Sequence, residues 1–299
     1  MAIKDVLAIV EPGERAASLL EVAASLALRQ GAHLTGLCVV PPLMLSEAGL
    51  PWAGGPVEAA ALDQVRASLH GTHAAAVQQL EAAFRKAAAD LVAPTEWRTA
   101  EGRPAELAPL HARYADLTVV GQQDPENPVE AGAGVIEALL LGSGRPVLIV
   151  PYAGRFAAVG RTVLVAWNAS REAARAVNDA LPLLEQADAV KVLAVNPGRS
   201  GDEEPPPATR PVFGIQGDGA WPAADIAHHL ARHGVKADAS YTISDEVDIG
   251  NTILSRAADL GVDLIVMGGY GHSRAREWIL GGATRTILGS MTVPVLMSH

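Results

Sequence analysis

A duplication at the scale of a domain constrains this chain more than any other feature. Val6-Leu7-Ala8-Ile9-Val10 is matched in the second half by Val163-Leu164-Val165-Ala166-Trp167. Ala115-Asp116-Leu117-Thr118-Val119-Val120-Gly121 is matched by Val262-Asp263-Leu264-Ile265-Val266-Met267-Gly268. Arg145-Pro146-Val147-Leu148-Ile149 is matched by Val293-Pro294-Val295-Leu296-Met297. The blocks keep their order. Their spacing is far above the ~50 residues that bound repeat arrays, so the chain holds two copies of one domain rather than a solenoid. At 299 residues, each copy is long enough to bury a core of its own. The expected domains are 1–153 and 160–299, with a linker over Tyr152–Gly160.

Within each copy, short apolar runs alternate with helical patterns. In the first copy the strands are read at Val6–Val10, Leu34–Val40, Thr95–Thr99, Leu117–Val120 and Val147–Val150. The helices between them are Arg15–Gln30, Val57–Leu91, Pro104–Tyr114 and Val129–Leu141. In the second copy the strands are Thr162–Trp167, Ala189–Val195, Ala237–Ile243, Leu264–Met267 and Val295–Met297. Its helices are Arg171–Leu184, Trp221–His233, Ile249–Leu260 and Arg274–Leu288. Strands that are apolar throughout are covered on both faces. Strand–helix alternation then implies an α/β fold with right-handed crossovers and a parallel sheet. Pro41–Pro56 is read as a loop, and Asn196–Gly219, rich in Pro, Gly and acid, as a surface loop.

The chemistry concentrates after the fourth strand of the second copy. Leu264–Met267 runs straight into Gly268-Gly269-Tyr270-Gly271-His272-Ser273, and Gly281-Gly282-Ala283-Thr284 leads into the next helix. Glycines let backbone approach a ligand closely, and the free N–H groups of a helix start form an anion cradle. The pattern points to a nucleotide phosphate, although each glycine also has a plain structural use in a strand-to-helix turn. The first copy has Gly121-Gln122-Gln123-Asp124-Pro125-Glu126-Asn127-Pro128 at the matching place. Glu126 and Glu130 repel phosphate, and Pro125 and Pro128 remove N–H donors.

These residues resemble the universal stress protein family, twice over and along essentially the whole chain. Nucleotide-binding members of that family carry Gly-x-x-Gly, nine residues, then Gly-Ser/Thr after the fourth strand. Gly268-Gly269-Tyr270-Gly271, residues 272–280 and Gly281 follow that pattern. Gly282 stands where the family has Ser or Thr, with Thr284 two positions later. Asn168, in Trp167-Asn168-Ala169-Ser170, stands where the family has an Asp near the adenine and ribose.

The resemblance implies two flavodoxin-like or Rossmann-like domains. Each is a five-stranded parallel sheet of order 3-2-1-4-5 with helices on both faces, and the two are paired through their fifth strands. It also implies ATP or a related adenine nucleotide as ligand, with Mg²⁺, in the second domain. The residues it would bring to that ligand are Trp167, Asn168, Val195, Met267, Gly268, Gly271, His272, Gly281, Gly282, Ala283 and Thr284. The expected function is a non-catalytic stress-response role with protein partners. The alternative is a nucleotide-free scaffold, which Glu11, Asn168 and Gly282 favour, and a slow ATPase is a third reading. The internal pairing implies a monomer with pseudo-two-fold symmetry, which can associate further.

The rest of the sequence narrows the alternatives. A net charge of −10 without a basic cluster argues against nucleic acid as partner. No apolar run reaches the ~18 residues of a membrane span, and Met1–Glu14 does not read as a signal peptide, so the expected location is the cytoplasm. The single cysteine, Cys38, is read as a small core residue. His228, His229 and His233 share one predicted helix, where the sequence supplies no third metal ligand and acid, so they are read as a polar face. There is neither a Walker A pattern nor a Gly-x-Ser-x-Gly elbow, so no catalytic apparatus is read.

Overall fold

The computed structural model describes residues 2–13, 15–41, 56–123, 134–156, 158–195, 222–244, 247–270 and 282–299. The first half runs β1 (Asp5–Ile9), α1 (Ala16–Gln30), β2 (His33–Val40), α2 (Pro56–Ala87), β3 (Thr95–Glu101), α3 (Pro104–Ala112), β4 (Leu117–Gly121), α4 (Val135–Gly142) and β5 (Val147–Val150). The second runs β6 (Thr162–Ala166), α5 (Arg171–Leu184), β7 (Ala189–Val195), α6 (Pro222–Arg232), β8 (Ala237–Thr242), α7 (Ile249–Asp259), β9 (Leu264–Gly268), α8 (Gly282–Ser290) and β10 (Val295–Ser298).

All ten strands form one sheet in the order β3-β2-β1-β4-β5-β10-β9-β6-β7-β8. Each half therefore has the order 3-2-1-4-5, parallel throughout. The halves join where β5 and β10 run antiparallel, with Leu148 opposite Leu296 and Val147 opposite Met297. Antiparallel pairing is what a two-fold operator imposes on two like strands meeting edge to edge. It also hides two sheet edges that would otherwise stay open.

The core lies in two layers, one on each face of this sheet, and both cross the seam. One layer packs α1, α2, α5 and α6 over Leu148, Leu296, Val163 and Val165. The other packs α3, α4, α7 and α8 over Val147, Ile149, Val295 and Met297. Alternate residues of β5 and β10 thus serve opposite layers, and they are almost wholly buried, as interior parallel strands require.

The first strand of each half is pinned by one carboxylate. Asp116 accepts from the amides of Lys4 and Asp5 at 2.8 and 3.1 Å. Asp263 accepts from the amides of Gly160, Arg161 and Thr162, the closest at 2.8 Å. These aspartates occupy the same place in the matched blocks before the fourth strand. The linker is further held by Arg29 of α1, whose guanidinium donates to the carbonyl of Val159.

Some element limits differ from those read in the sequence. α2 ends at Ala87, four residues earlier, because the chain turns over Ala88–Asp90, with the Leu91 amide bonded to the Ala88 carbonyl. The sequence signals this stop only by the basic pair Arg85-Lys86 in the last turn, with no Gly or Asn after it. β3 extends to Glu101 because it pairs with β2 as far as Val40. The early part of the helix read at Val129–Leu141, Arg274–Gly281 of the last helix, and the loop Asn196–Gly219 lie outside the described residues.

Cys38 sits in β2, 1% exposed, and burial, with a smaller contribution from Glu11, pushes its thiol up to about 11. The shift is upward from 9.0, so at pH 8 the folded chain holds roughly 100-fold less thiolate than an ordinary cysteine. Iodoacetamide at pH 8 is expected to leave the native protein unmodified, while urea exposes one reactive thiol. Mass spectrometry of the alkylated protein reads both states.

Candidate functional site

The glycine-rich end of β9 lies at the switch point of the second half. β6 pairs with β7 on one side and β9 on the other, with Ala166 beside Leu193 and Met267. The chain leaving β6 and the chain leaving β9 therefore depart from adjacent strands to helices on opposite faces. A crevice at the carboxyl ends of the strands follows from that topology.

β6 gives way to Trp167, whose amide still bonds the carbonyl of Leu193. Trp167 is half-buried and packs against the α5–α6 layer, and its indole N–H has no partner among the described residues. Asn168 is exposed. Its Oδ1 accepts from the Ser170 amide at 3.1 Å, closing an Asx turn through Ala169, whose φ is +58°. The Asn168 side-chain NH₂ has no partner among the described residues. Ser170 then caps α5, its hydroxyl accepting from the Ala173 amide at 3.1 Å.

Gly268 ends β9 directly beneath that cap. A Cβ there would stand 2.6 Å from the Ala173 nitrogen and 2.7 Å from the Glu172 carbonyl carbon. The first turn of α5 thus sits against the strand end at a distance only glycine permits. Met267 points into the layer of α7 and α8, and Val195, the last residue of β7, packs on that same layer.

α8 begins at Gly282, which is exposed, followed by the half-buried Ala283 and the buried Thr284. The Thr284 hydroxyl faces the chain leaving β9, accepting from the Tyr270 amide at 3.4 Å. α7 starts alongside. Asp248 caps it, accepting from the amides of Gly250 and Asn251 at 2.9 and 3.3 Å. Its other carboxylate oxygen is 3.8 Å from where a Gly282 Cβ would be. A Cβ on Gly250 would meet Thr286 at 2.6 Å and the Ala283 carbonyl at 2.9 Å. Gly250 is thus a second glycine of close approach, which sequence reading passed over because an isolated glycine in a helical pattern gives no hint of what lies across from it.

Trp167, Asn168, Val195, Met267, Gly268, Gly282, Ala283 and Thr284 therefore gather at one end of the sheet, on β6, β7, β9 and the start of α8. The side chains of Trp167 and Met267 serve opposite core layers. Gly271, His272 and Gly281 lie outside the described residues. The polar groups at this end are the Asn168 amide, the Asp248 carboxylate and the first-turn amides of α8, which have no intrahelical acceptor. Among the described residues no group of three or more His, Cys, Asp or Glu could hold a metal ion, and no helix is long and apolar enough to cross a membrane. The rings of His229 on α6 and His233 just beyond it lie 4.8 Å apart between centroids, tilted by 57°.

In the first half, Glu11 follows β1 at the place of Asn168, and Gly121-Gln122 stands at the place of Gly268-Gly269. Gln122 is buried and spans the seam, accepting from the Tyr152 amide at 3.0 Å and donating to the Leu288 carbonyl of α8 at 2.7 Å. Asp124, Pro125, Glu126, Pro128 and Glu130 lie outside the described residues.

Comparison with solved structures gives the same architecture. A universal stress protein from Archaeoglobus fulgidus DSM 4304 is 16% identical, covers 98% of this chain and 95% of its own, and superposes with a TM-score of 0.63. A functionally unknown protein from Pseudomonas aeruginosa PAO1 is 15% identical, with coverage of 99% and 92% and a TM-score of 0.51. A universal stress protein from Pseudomonas aeruginosa UCBPP-PA14 is 16% identical, with coverage of 99% and 92% and a TM-score of 0.52. No curated protein matches significantly. The universal stress protein family model matches twice, over residues 2–151 and 160–299. With both halves matched, the chain belongs to the universal stress protein family.

Proposed function

We propose that the second domain binds an adenine nucleotide, ATP with Mg²⁺ foremost, and that the chain acts in the cytoplasm as a non-catalytic stress-response protein with protein partners. The observation that carries this reading is the meeting of the Asn168 turn, the Gly268 strand end and the start of α8 where β6 and β9 diverge. That end offers amide donors and glycine backbone, which suit a phosphate chain. The Asn168 NH₂ remains available to a ribose or base. Asp248 puts one negative charge beside the first turn of α8, which favours a phosphate brought in with a divalent cation over a bare one. Gly271, His272 and Gly281 would complete the phosphate contacts.

On this reading, residues 1–153 form a domain that has lost its phosphate site and serves to pair with 160–299, leaving a monomer with an internal pseudo-dimer. The nucleotide-free scaffold remains the second reading, favoured by Thr284, whose side chain is buried and whose hydroxyl accepts from the Tyr270 amide. Equilibrium binding of labelled ATP in the presence of Mg²⁺, with Gly281→Glu as control, separates the two. Saturable binding below millimolar nucleotide that Gly281→Glu abolishes is the expected result. No saturable binding up to millimolar would leave the scaffold reading standing.

A further inference from the structure

The chain leaving β9 makes contacts that its own domain does not explain. Tyr270 has a φ of +58°, a left-handed conformation unfavourable for a residue with a Cβ. Glycine would be the default there, and glycines flank the position on both sides. Something therefore repays a tyrosine. Its ring is half-buried against the core layer that contains Ile136, Leu139 and Leu140 of α4, a helix of the first half. Burial, and after it the charge of Glu137 on that helix, push the phenol up. The ring meets His299 edge-on at 6.3 Å between centroids, and the His299 imidazole bonds the Gly269 carbonyl at 3.1 Å. Gly269 itself is buried, with Leu140 of α4 3.7 Å from where its Cβ would be. The first half reciprocates, since Gln122, at the place of Gly269, donates to the carbonyl of Leu288 in α8.

We propose that Tyr270 is a positioning residue, whose ring ties the turn after β9 to α4 of the first half and so fixes where that turn meets α8. The first domain is then more than a pairing partner: its α4 forms the wall that sets the geometry of the second domain's ligand end. This use of Tyr270 rests on the nucleotide reading for its purpose, and on the contacts above for its existence. It accounts for a tyrosine kept at a left-handed position. It also accounts for the Thr284 hydroxyl accepting from the Tyr270 amide, because the anchored ring brings that amide to the first turn of α8.

The test compares the full-length wild type with Tyr270→Phe, Tyr270→Gly and Leu140→Ala. Hydrogen exchange is read over residues 264–270, with 176–184 of α5 as internal reference. Exchange over 264–270 is expected to quicken about tenfold in Tyr270→Gly and Leu140→Ala and to stay at the wild-type rate in Tyr270→Phe, which keeps the ring. Equal protection in all four proteins overturns the proposal. So does faster exchange in Tyr270→Phe equal to that in Tyr270→Gly, since the ring would then not be the anchor. Mg·ATP titration of the same proteins is the second arm. Tyr270→Gly relieves backbone strain, so a purely conformational role predicts binding as tight as wild type or tighter, whereas anchoring predicts binding weaker by about tenfold with rescue by Phe. Failure of the wild type to bind Mg·ATP removes the nucleotide reading and leaves the exchange arm to decide the anchor. Equal binding by wild type and Tyr270→Gly removes the anchor and leaves the nucleotide reading.

Discussion

Replacing Gly268 by alanine lowers the melting temperature by about 6–12 °C, a loss of roughly 3 kcal/mol. The added methyl would lie 2.6 to 2.8 Å from the Ala173 nitrogen, the Glu172 carbonyl carbon and the Glu172 Cβ. Two of those three atoms are backbone in the first turn of α5, held by the Ser170 cap and by packing of Ala173, Ala176 and Val177. They cannot rotate away as a flexible side chain does, so either β9 or the helix start must move. The cost belongs at the upper end of what overpacking causes for that reason. Gly269→Ala is the control one residue on. Its methyl would meet Leu140 and Met297 at 3.7 Å, an ordinary contact, and the position is not left-handed. Its melting temperature is expected within about 2 °C of wild type. Equal losses at the two positions would mean that the approach of α5 to β9 is looser than described.

Leu148→Ala at the seam costs about 2–5 kcal/mol, the range for emptying a filled leucine site. Leu148 and Leu296 face each other across the β5–β10 pair and are both wholly buried in the layer beneath α1 and α5. Each single truncation opens a cavity on the pseudo-two-fold axis that the other leucine cannot fill without leaving its strand. The double variant should cost less than the sum, by about 0.5–3 kcal/mol, because both deletions open one shared space. Urea denaturation of the four proteins closes the cycle. Strict additivity would place the two leucines in separate environments and contradict a core continuous across the seam.

The duplication made most of the fold legible. Matched blocks marked the first, fourth and fifth strands of each half, and apolar runs marked a sheet interior covered on both faces; the edge strands β3 and β8 are largely exposed and mixed in composition. Helix starts were read well where a cap marks them, as Ser170 does for α5, and helix ends less well where an Ala-rich run continues past the stop, as after α2. What stayed hidden depends on residues distant in sequence. Asp116 and Asp263 were in view inside the repeat, at matching places, but an aspartate that binds strand amides reads locally like any turn residue. Gly250 drew no reading from the sequence, because Thr286 and the Ala283 carbonyl that press on it lie over thirty residues away. Tyr270 stood only as the variable position of a glycine motif, because α4, the wall we propose for its ring, belongs to the other half. Thr284 was read for its hydroxyl, and that hydroxyl is turned to Tyr270.

The central claim is that one half of this duplicated chain keeps a nucleotide site and the other half keeps only the fold. Hydrogen exchange with and without saturating Mg·ATP tests it most directly. Added protection is predicted over residues 264–270 and 282–288, with no change over 117–123 and 5–11, the first-half segments that match 264–270 and 162–168. Protection in the first-half segments, or none in the second, would contradict it.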